Sequence, residues 1–552
     1  MVKKFHFFDI DALKNFHKRI FFSIIVFILV YSIAFYRIFD LMLLDNQINT
    51  LYYNEKIVER GNIYDRNGYL LSSTIKSHSL SVNPNKVRDK QKLSSQLSNI
   101  ISRPQIEILK LLNKKNKFVW LKKNISPREH QKIIELGEVV LDTEHSYKDQ
   151  RKRIYPYKNV ASHVIGYTNT EGIGLSGIER GFNRNLAEGI DIHLSIDINL
   201  QQAIRHELIK VLNKYSADSA SSIVLDITNG EIIALNSLPD FDPNNRKSFS
   251  KINTFNRAIS GNFEMGSVFK PITIAMGYDK GIIKQDMIFD VSKSIKGIED
   301  FEPYNGSYNV KEIIVNSSNI GTAKIASLIG KKNQKEFFAR IGFNDKINYE
   351  IKESALPLGN QNNWGELETM TIGFGHGFAV TPLHLISAYA ALSNNGKKII
   401  PTFVKGKIHS ESSKIVNDET SKFFVKLLRS VVLETKFTGP RVNVKGYEIG
   451  GKTGTAELLD QNGRYKKDAN LTLFVAVFPV SQPRYAVMAT IENPKKIKES
   501  NYSITAATVV APLIKDIIKR MIEILGISAI KSQEILKADT SLKYKKFQNA
   551  SF

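Results

Sequence analysis

Residues 264–270 read Glu264-Met265-Gly266-Ser267-Val268-Phe269-Lys270. If a helix opens here, Ser267 and Lys270 stand one turn apart and share a face. A serine hydroxyl is a poor nucleophile until a base takes its proton, and a partly desolvated lysine with a lowered pKa can be that base. The free N–H groups of a helix N-terminus favour negative charge, and Gly266 permits close backbone approach. Spacing alone decides nothing, because Ser-x-x-Lys recurs at Ser73–Lys76 and Ser248–Lys251. At an arbitrary match, a capping serine beside a solvated lysine is the plainer reading.

Two further short patterns follow in order. Ser317-Ser318-Asn319 lies about fifty residues on. Ser317 could relay a proton and Asn319 could offer its amide to a substrate backbone, although a turn or helix cap would look the same. Ser260-Gly261-Asn262 has the same spacing. Lys452-Thr453-Gly454-Thr455, between Gly450-Gly451 and Ala456-Glu457, is the most specific of the three, because Lys-Thr-Gly occurs once. On an edge strand its lysine raises local positive potential, its threonines can hold a carboxylate, and Gly454 leaves room for an acyl group against the backbone. A basic turn between strands is the competing reading.

Around these patterns the chain from about Ile196 to Ile527 reads as mixed α/β. Ser222–Asp226 predicts a strand, Thr228-Asn229-Gly230-Glu231 a turn, and Ile232–Leu235 the returning strand. Further strands are expected at Leu471–Phe478 and Tyr485–Ile491, then an amphipathic helix from about Thr505 to Leu525. Upstream, Leu51 to about Ser195 reads as short strands and turns, with Asp65-Arg66-Asn67-Gly68 a strong tight-turn signal. The last 25 or so residues, rich in Lys and Ser, read as a solvated tail.

The N-terminus carries the topological signal. Lys3, Lys4, Lys14, Lys18 and Arg19 precede an uncharged run from Ile20 to Tyr36, which extends through Arg37 toward Leu44. That length spans a bilayer. The basic flank predicts a cytoplasmic N-terminus, and no small-residue cleavage site follows, so an uncleaved anchor is expected.

At 552 residues the chain has room for two or three domains, and 42% hydrophobic with 10% aromatic residues fits a folded protein. A net charge of +23 suits an anionic partner. Nucleic acid is not expected, since no basic helix interleaved with aromatics, zinc spacing or RNA-binding signature occurs. With no cysteine, disulfides, cysteine-ligated metal and thiol catalysis are excluded.

Taken together, Ser-x-x-Lys, Ser-x-Asn and Lys-Thr-Gly-Thr form the set used by penicillin-recognising serine enzymes. From the membrane segment to about Ile527 the chain resembles the class B penicillin-binding proteins. Arg60-Gly61-Asn62-Ile63-Tyr64-Asp65-Arg66-Asn67-Gly68 resembles the opening motif of that family's pedestal domain, and Gly174-Leu175-Ser176-Gly177-Ile178-Glu179 its second. Tyr167 and the preceding residues 161–166 fit the same region. Gly373-Phe374-Gly375-His376-Gly377, leading into Thr381-Pro382-Leu383, resembles a glycine-rich segment before the last motif, with His376 read as structural. Within the family the chain is most similar to the septal, cell-division branch, on Arg153-Ile154-Tyr155-Pro156, Trp364-Gly365-Glu366-Leu367, a short cytoplasmic tail and a compact pedestal.

The resemblance implies an α+β multidomain protein: one transmembrane helix, a β-rich pedestal, and a β-lactamase-like α/β domain whose antiparallel sheet is flanked by helices. The expected segments are a cytoplasmic tail 1–19, anchor 20–44, pedestal of dimerisation-domain type 45–195, transpeptidase domain 196–527 and flexible tail 528–552. The implied activity is D,D-transpeptidation of peptidoglycan stem peptides ending in D-Ala-D-Ala, inhibited by β-lactams. Ser267, Lys270, Ser317, Asn319 and Lys452 would be catalytic, and Thr453, Gly454 and Thr455 would bind substrate. No metal or organic cofactor is implied. The expected place is the bacterial inner membrane, single-pass, with the catalytic domain periplasmic. A multi-span glycan polymerase and other divisome proteins are the expected partners. An elongation-specific transpeptidase or a silent divisome scaffold is the alternative.

Overall fold

The computed structural model describes residues 10–48, 58–136, 151–347, 350–359, 364–407, 413–459, 464–496 and 504–529. Lys3, Lys4 and all but the first two residues of the expected tail lie outside them. The chain divides into two units, residues 1–58 and 59–552. Among the described residues the first holds one helix, α1 (Ile10–Ile48), whose 39 residues extend about 58 Å at 1.5 Å per residue. Its stretch His17–Phe39 is long and apolar enough to cross a membrane and is unburied.

The second unit begins with the pedestal. Strands β1 (Ile63–Tyr64), β2 (Leu70–Lys76), β3 (His78–Val82), helices α2 (Lys90–Ile101) and α3 (Gln105–Leu112), β4 (Val119–Ile125), α4 (Pro127–Glu135), β5 (Arg151–Ile154) and β6 (Ile192–His193) follow in order. One sheet runs β5-β2-β1-β6, and β3 pairs with β4 in a separate ribbon. The three helices are more than the expected strands and turns. Leu93, Leu97 and Ile101 recur every four residues and pack with Leu80, Ile108, Leu112 and Leu121. Asp89 caps α2 through Lys92 N. The polar, Ser- and Gln-rich composition of α2 masks this spacing.

The pedestal motifs meet around one carboxylate. Glu179, fully buried, pairs with Arg60 at 2.7 Å and with Arg153 at 2.7 Å, and accepts from Ser72 Oγ at 3.0 Å. Two separated motifs therefore act as halves of a single ion-pair network. The tight turn does a second job. Asp65 accepts from the amides of Asn67 and Tyr69, both 2.8 Å, and its other oxygen accepts from Ile198 N at 3.2 Å. Ile198 opens helix α5 (Ile198–Tyr215), capped by Asp197, to which Asn67 Nδ2 donates at 2.9 Å. The turn thus seats the pedestal on the first helix of the following domain.

That domain contains β7 (Ser219–Asp226), β8 (Ile232–Leu238), β9 (Phe263–Glu264), helix α6 (Lys270–Asp279), α7 (Asn319–Ile341), β10 (Phe378–Val380), β11 (Gly450–Leu459), β12 (Tyr465–Phe478), β13 (Tyr485–Glu492) and α8 (Ala506–Leu525). The main sheet is antiparallel in the order β11-β12-β13-β7-β8. Alternation divides β12 cleanly. Leu471, Leu473, Val475 and Val477 face one core, while Phe474, Ala476 and Phe478 face the other with α5 and α8. Burial of both faces is why the second half of this strand, residues 473–478, is apolar without a break. The expected strands and final helix are all present, and β11 stands at the sheet edge.

Candidate active site

The segment carrying Ser267 is tighter than a plain α-helix start. Gly266–Phe269 forms a 3₁₀ turn that runs directly into α6. At three residues per turn, positions i and i+3 eclipse, so Ser267 and Lys270 lie one above the other. Gly266 has φ +55°, and a Cβ there would stand 2.4 Å from the Thr455 carbonyl of β11. The Ser267 turn and the Lys-Thr-Gly-Thr strand therefore touch backbone to backbone. A Cβ at Gly454 would meet the Met265 carbonyl at 2.6 Å, so this glycine is required by the approach of the turn itself.

Lys270 is completely buried. Its Nζ donates to Ser317 O at 2.5 Å, Asn319 Oδ1 at 2.7 Å and Ser317 Oγ at 3.2 Å. Lys452, also buried, donates to the same Ser317 Oγ at 3.1 Å. Three patterns separated by nearly two hundred residues thus share one hydrogen-bonded cluster. Ser317 adopts φ +56°, a left-handed conformation uncommon for serine. This sharp turn, between the preceding helix Val310–Val315 and α7, brings its carbonyl and hydroxyl to the two lysines. Ser318 caps α7 through Gly321 N.

Burial pushes the Lys270 ammonium well below the ordinary lysine range, the Lys452 charge adds to this, and Asp300 opposes it. Burial alone pushes Lys452 down to about 8. Both amines therefore give up their protons more readily than an exposed lysine does, Lys270 the more so because Lys452 stands beside it. Among the described residues Lys270 makes no hydrogen bond to Ser267. The hydroxyl of Ser317 bridges the two amines instead.

The look-alike patterns fall elsewhere. Ser73 and Lys76 lie on β2, where residues three apart face opposite sides. Ser248 closes a local turn through its bond to Asn245 O at 2.7 Å. Asn262 donates to Leu356 O and takes no part in the bonds of the two lysines. Several residues of the site carry no motif signal. Asp300 accepts from Ser318 Oγ at 2.7 Å and Ile320 N at 2.9 Å, fixing the start of α7. Glu264, His376 and Tyr465 also converge beside the Ser267 turn, and Tyr465 belongs to none of the patterns.

Residues 220–519 match the penicillin binding protein transpeptidase domain, and residues 55–191 match the penicillin-binding protein dimerisation domain. A probable peptidoglycan D,D-transpeptidase FtsI of Caulobacter vibrioides is 31% identical over 85% of this chain and 82% of its own. The chain belongs to the class B penicillin-binding proteins. A probable peptidoglycan D,D-transpeptidase PenA of Neisseria meningitidis is 29% identical to this penicillin-binding protein over 86% of this chain and 85% of its own. In fold, this penicillin-binding protein resembles penicillin binding protein 3 of Mycobacterium tuberculosis, solved with aztreonam. The TM-score is 0.67 at 21% identity, with 86% of this chain and 97% of that one covered. As a member of this family the protein is a serine acyltransferase with peptidoglycan D,D-transpeptidase activity, its substrate is the peptidoglycan stem peptide, and it binds β-lactams.

Proposed function

We propose that this protein cross-links stem peptides at the division septum, with Ser267 as nucleophile and Lys270 as its base. The observation that carries the assignment of residues is the cluster joining Lys270, Ser317, Asn319 and Lys452 beneath the Ser267 turn. Ser267 Oγ attacks the carbonyl between the two terminal D-alanines while its proton passes to Lys270. The C–N bond breaks, and D-alanine leaves with a proton delivered through Ser317 and Lys452. An amine of a neighbouring stem peptide then attacks the ester, an amide forms, and the Ser267 oxygen regains a proton.

The amides of Ser267 and Thr455 are the oxyanion donors in this scheme. The close packing of Gly266 on Thr455 supports the pairing, and loss of one such donor typically costs about 2.7–4 kcal/mol. Asn319 orients the peptide, and Thr453 with Thr455 holds its terminal carboxylate. A boundary between pedestal and transpeptidase domains near residue 195 is part of this reading, supported by matched regions that end at 191 and begin at 220.

Acylation by a fluorescent penicillin, followed by peptide mass spectrometry, tests the assignment. The adduct is expected on Ser267, and Ser267→Ala is expected to abolish labelling with its melting temperature unchanged. Labelling retained in that variant, or an adduct on Ser248 or Ser73, would overturn it.

The septal role is supported by the sequence resemblance in residues 153–156 and 364–367 and by the name FtsI of the Caulobacter relative. The basic flank Lys14, Lys18 and Arg19 supports a cytoplasmic N-terminus and a periplasmic catalytic domain. The span is proposed to contact a multi-span glycan polymerase. Replacing residues 20–44 by an unrelated apolar helix should then preserve membrane insertion yet fail to restore division in depleted cells. Normal septation by the exchanged protein would refute that contact.

A further inference from the structure

Glu264 lies three residues before Ser267, on β9, and is buried. Its carboxylate accepts from Gly377 N at 2.9 Å, stands 3.0 Å from His376 Nδ1, and accepts from Tyr465 Oη at 3.1 and 3.3 Å. Tyr465 Oη also lies 3.0 Å from His376 Nε2, and the two rings stack 5.3 Å apart. These three side chains come from the nucleophile segment, the glycine-rich loop and the strand paired with β11.

The nucleophile segment, the glycine-rich loop and β11, the strand that β12 pairs with, meet at Gly266 through backbone alone. Gly266 N donates to Gly375 O at 3.1 Å, and a Cβ at Gly375 would stand 2.2 Å from Gly266 O. On the other side Gly266 abuts Thr455. Bare backbone contacts of this kind have no interlocking side chains to hold their register. The adjoining carboxylate supplies a fastening: it joins β9 to the loop through His376 and Gly377, and to the β11–β12 hairpin at Tyr465, which pairs with Leu459.

We propose that Glu264, His376 and Tyr465 form a charge-assisted clamp that positions the Ser267 turn between the glycine-rich loop and β11, and that the clamp weakens when His376 loses its proton. Glu264 and Tyr465 are positioning residues here, acting through the turn. The proposal rests on Ser267 being the nucleophile.

The titratable neighbours set the direction of the pH effect. Glu264 raises the His376 pKa above its ordinary 6.5 despite desolvation, and Glu457 on β11 adds to the rise. Burial would push Glu264 up, but His376, Gly377 and Tyr465 together hold it below its ordinary 4.5. Burial, Glu264 and Glu457 push Tyr465 up, so it stays a neutral donor. A raised histidine stabilises the folded clamp fully below about 6.5 and ceases to as pH rises through its folded value; a lowered carboxylate stabilises it above about 4.5. The clamp is therefore tightest between these limits and slackens upward.

The test is the second-order rate constant for acylation by a fluorescent penicillin, measured on the full-length protein from pH 5.5 to 8.5. Wild type is compared with His376→Gln, Tyr465→Phe and Glu264→Gln, each checked by its melting curve. Near pH 6 the variants are expected to react about 10- to 100-fold more slowly, the scale of a misplaced reacting group. For His376→Gln the deficit should shrink as pH rises, whereas the limb set by Lys452 is common to all and cancels in the ratio. His376 and Tyr465 are partly exposed, so their variants serve if Glu264→Gln does not fold. A wild-type rate in folded His376→Gln and Tyr465→Phe, or a deficit independent of pH, would overturn the clamp alone. Absence of a wild-type adduct on Ser267 would overturn the assignment of the nucleophile and the clamp with it.

Discussion

Lys270→Met lowers the rate constant for penicillin acylation by about 10²–10⁴-fold, the usual contribution of a positioned base. Methionine has a similar length and is apolar, so it fills the buried slot without adding a charge. It cannot accept the Ser267 proton, and it leaves Ser317 O and Asn319 Oδ1 without their donor. The pH profile provides a second signature. Wild-type acylation is expected to rise as Lys270 loses its proton, with that limb displaced well below the usual lysine range because the group is buried. It is expected to fall again at about pH 8, as Lys452 loses its proton. In Lys270→Met the rising limb disappears. Rapid-quench measurement of the adduct across pH settles the matter, and a variant within tenfold of wild type, with the rising limb intact, would remove Lys270 as base.

Glu179→Ala destabilises the protein by about 3–5 kcal/mol, the cost of removing one partner from a buried ionic network. The side chains of Arg60 and Arg153 are 9% and 3% exposed, so both would stay charged with no counter-charge, bonded only to neutral groups such as Asn183 Oδ1 and Thr74 Oγ1. Urea denaturation followed by far-UV circular dichroism measures the loss. Glu188→Ala is the matched control, because its pair with Arg184 is open to solvent and should leave the midpoint in place. A Glu179→Ala midpoint equal to that of the control would mean the pedestal motifs are not held by this carboxylate. The effect is far from Ser267 in sequence, yet the pedestal turn at Asp65 also holds the start of α5. Loosening it is therefore expected to be felt by both domains.

Some features assigned to the septal branch acquire a plainer physical reading. Arg153 is one half of the Glu179 network. Trp364 is buried against Phe338 and Phe378, with ring centroids 5.7 and 6.3 Å away. Both stretches stabilise the fold, whatever they share with relatives.

Linear order, residue chemistry and local periodicity sufficed for much of this protein. The apolar run after a basic flank, the alternating strands of the sheet and the single Lys-Thr-Gly-Thr are local patterns whose physics acts over a few residues, and so they are legible one window at a time. The pedestal helices were harder because α2 buries only a narrow stripe, Leu93, Leu97 and Ile101, within a polar sequence. What only the tertiary structure decided are relations between distant segments. No local pattern couples Arg60 to Glu179, or places Asp300 at the cap of α7. None brings Tyr465 to Glu264 across about two hundred residues of chain. Nor does spacing foretell that Gly454 yields to the Met265 carbonyl. Such contacts arise from the close packing of whole elements, where a carboxylate or a missing Cβ is selected by a neighbour that the chain reaches only after folding.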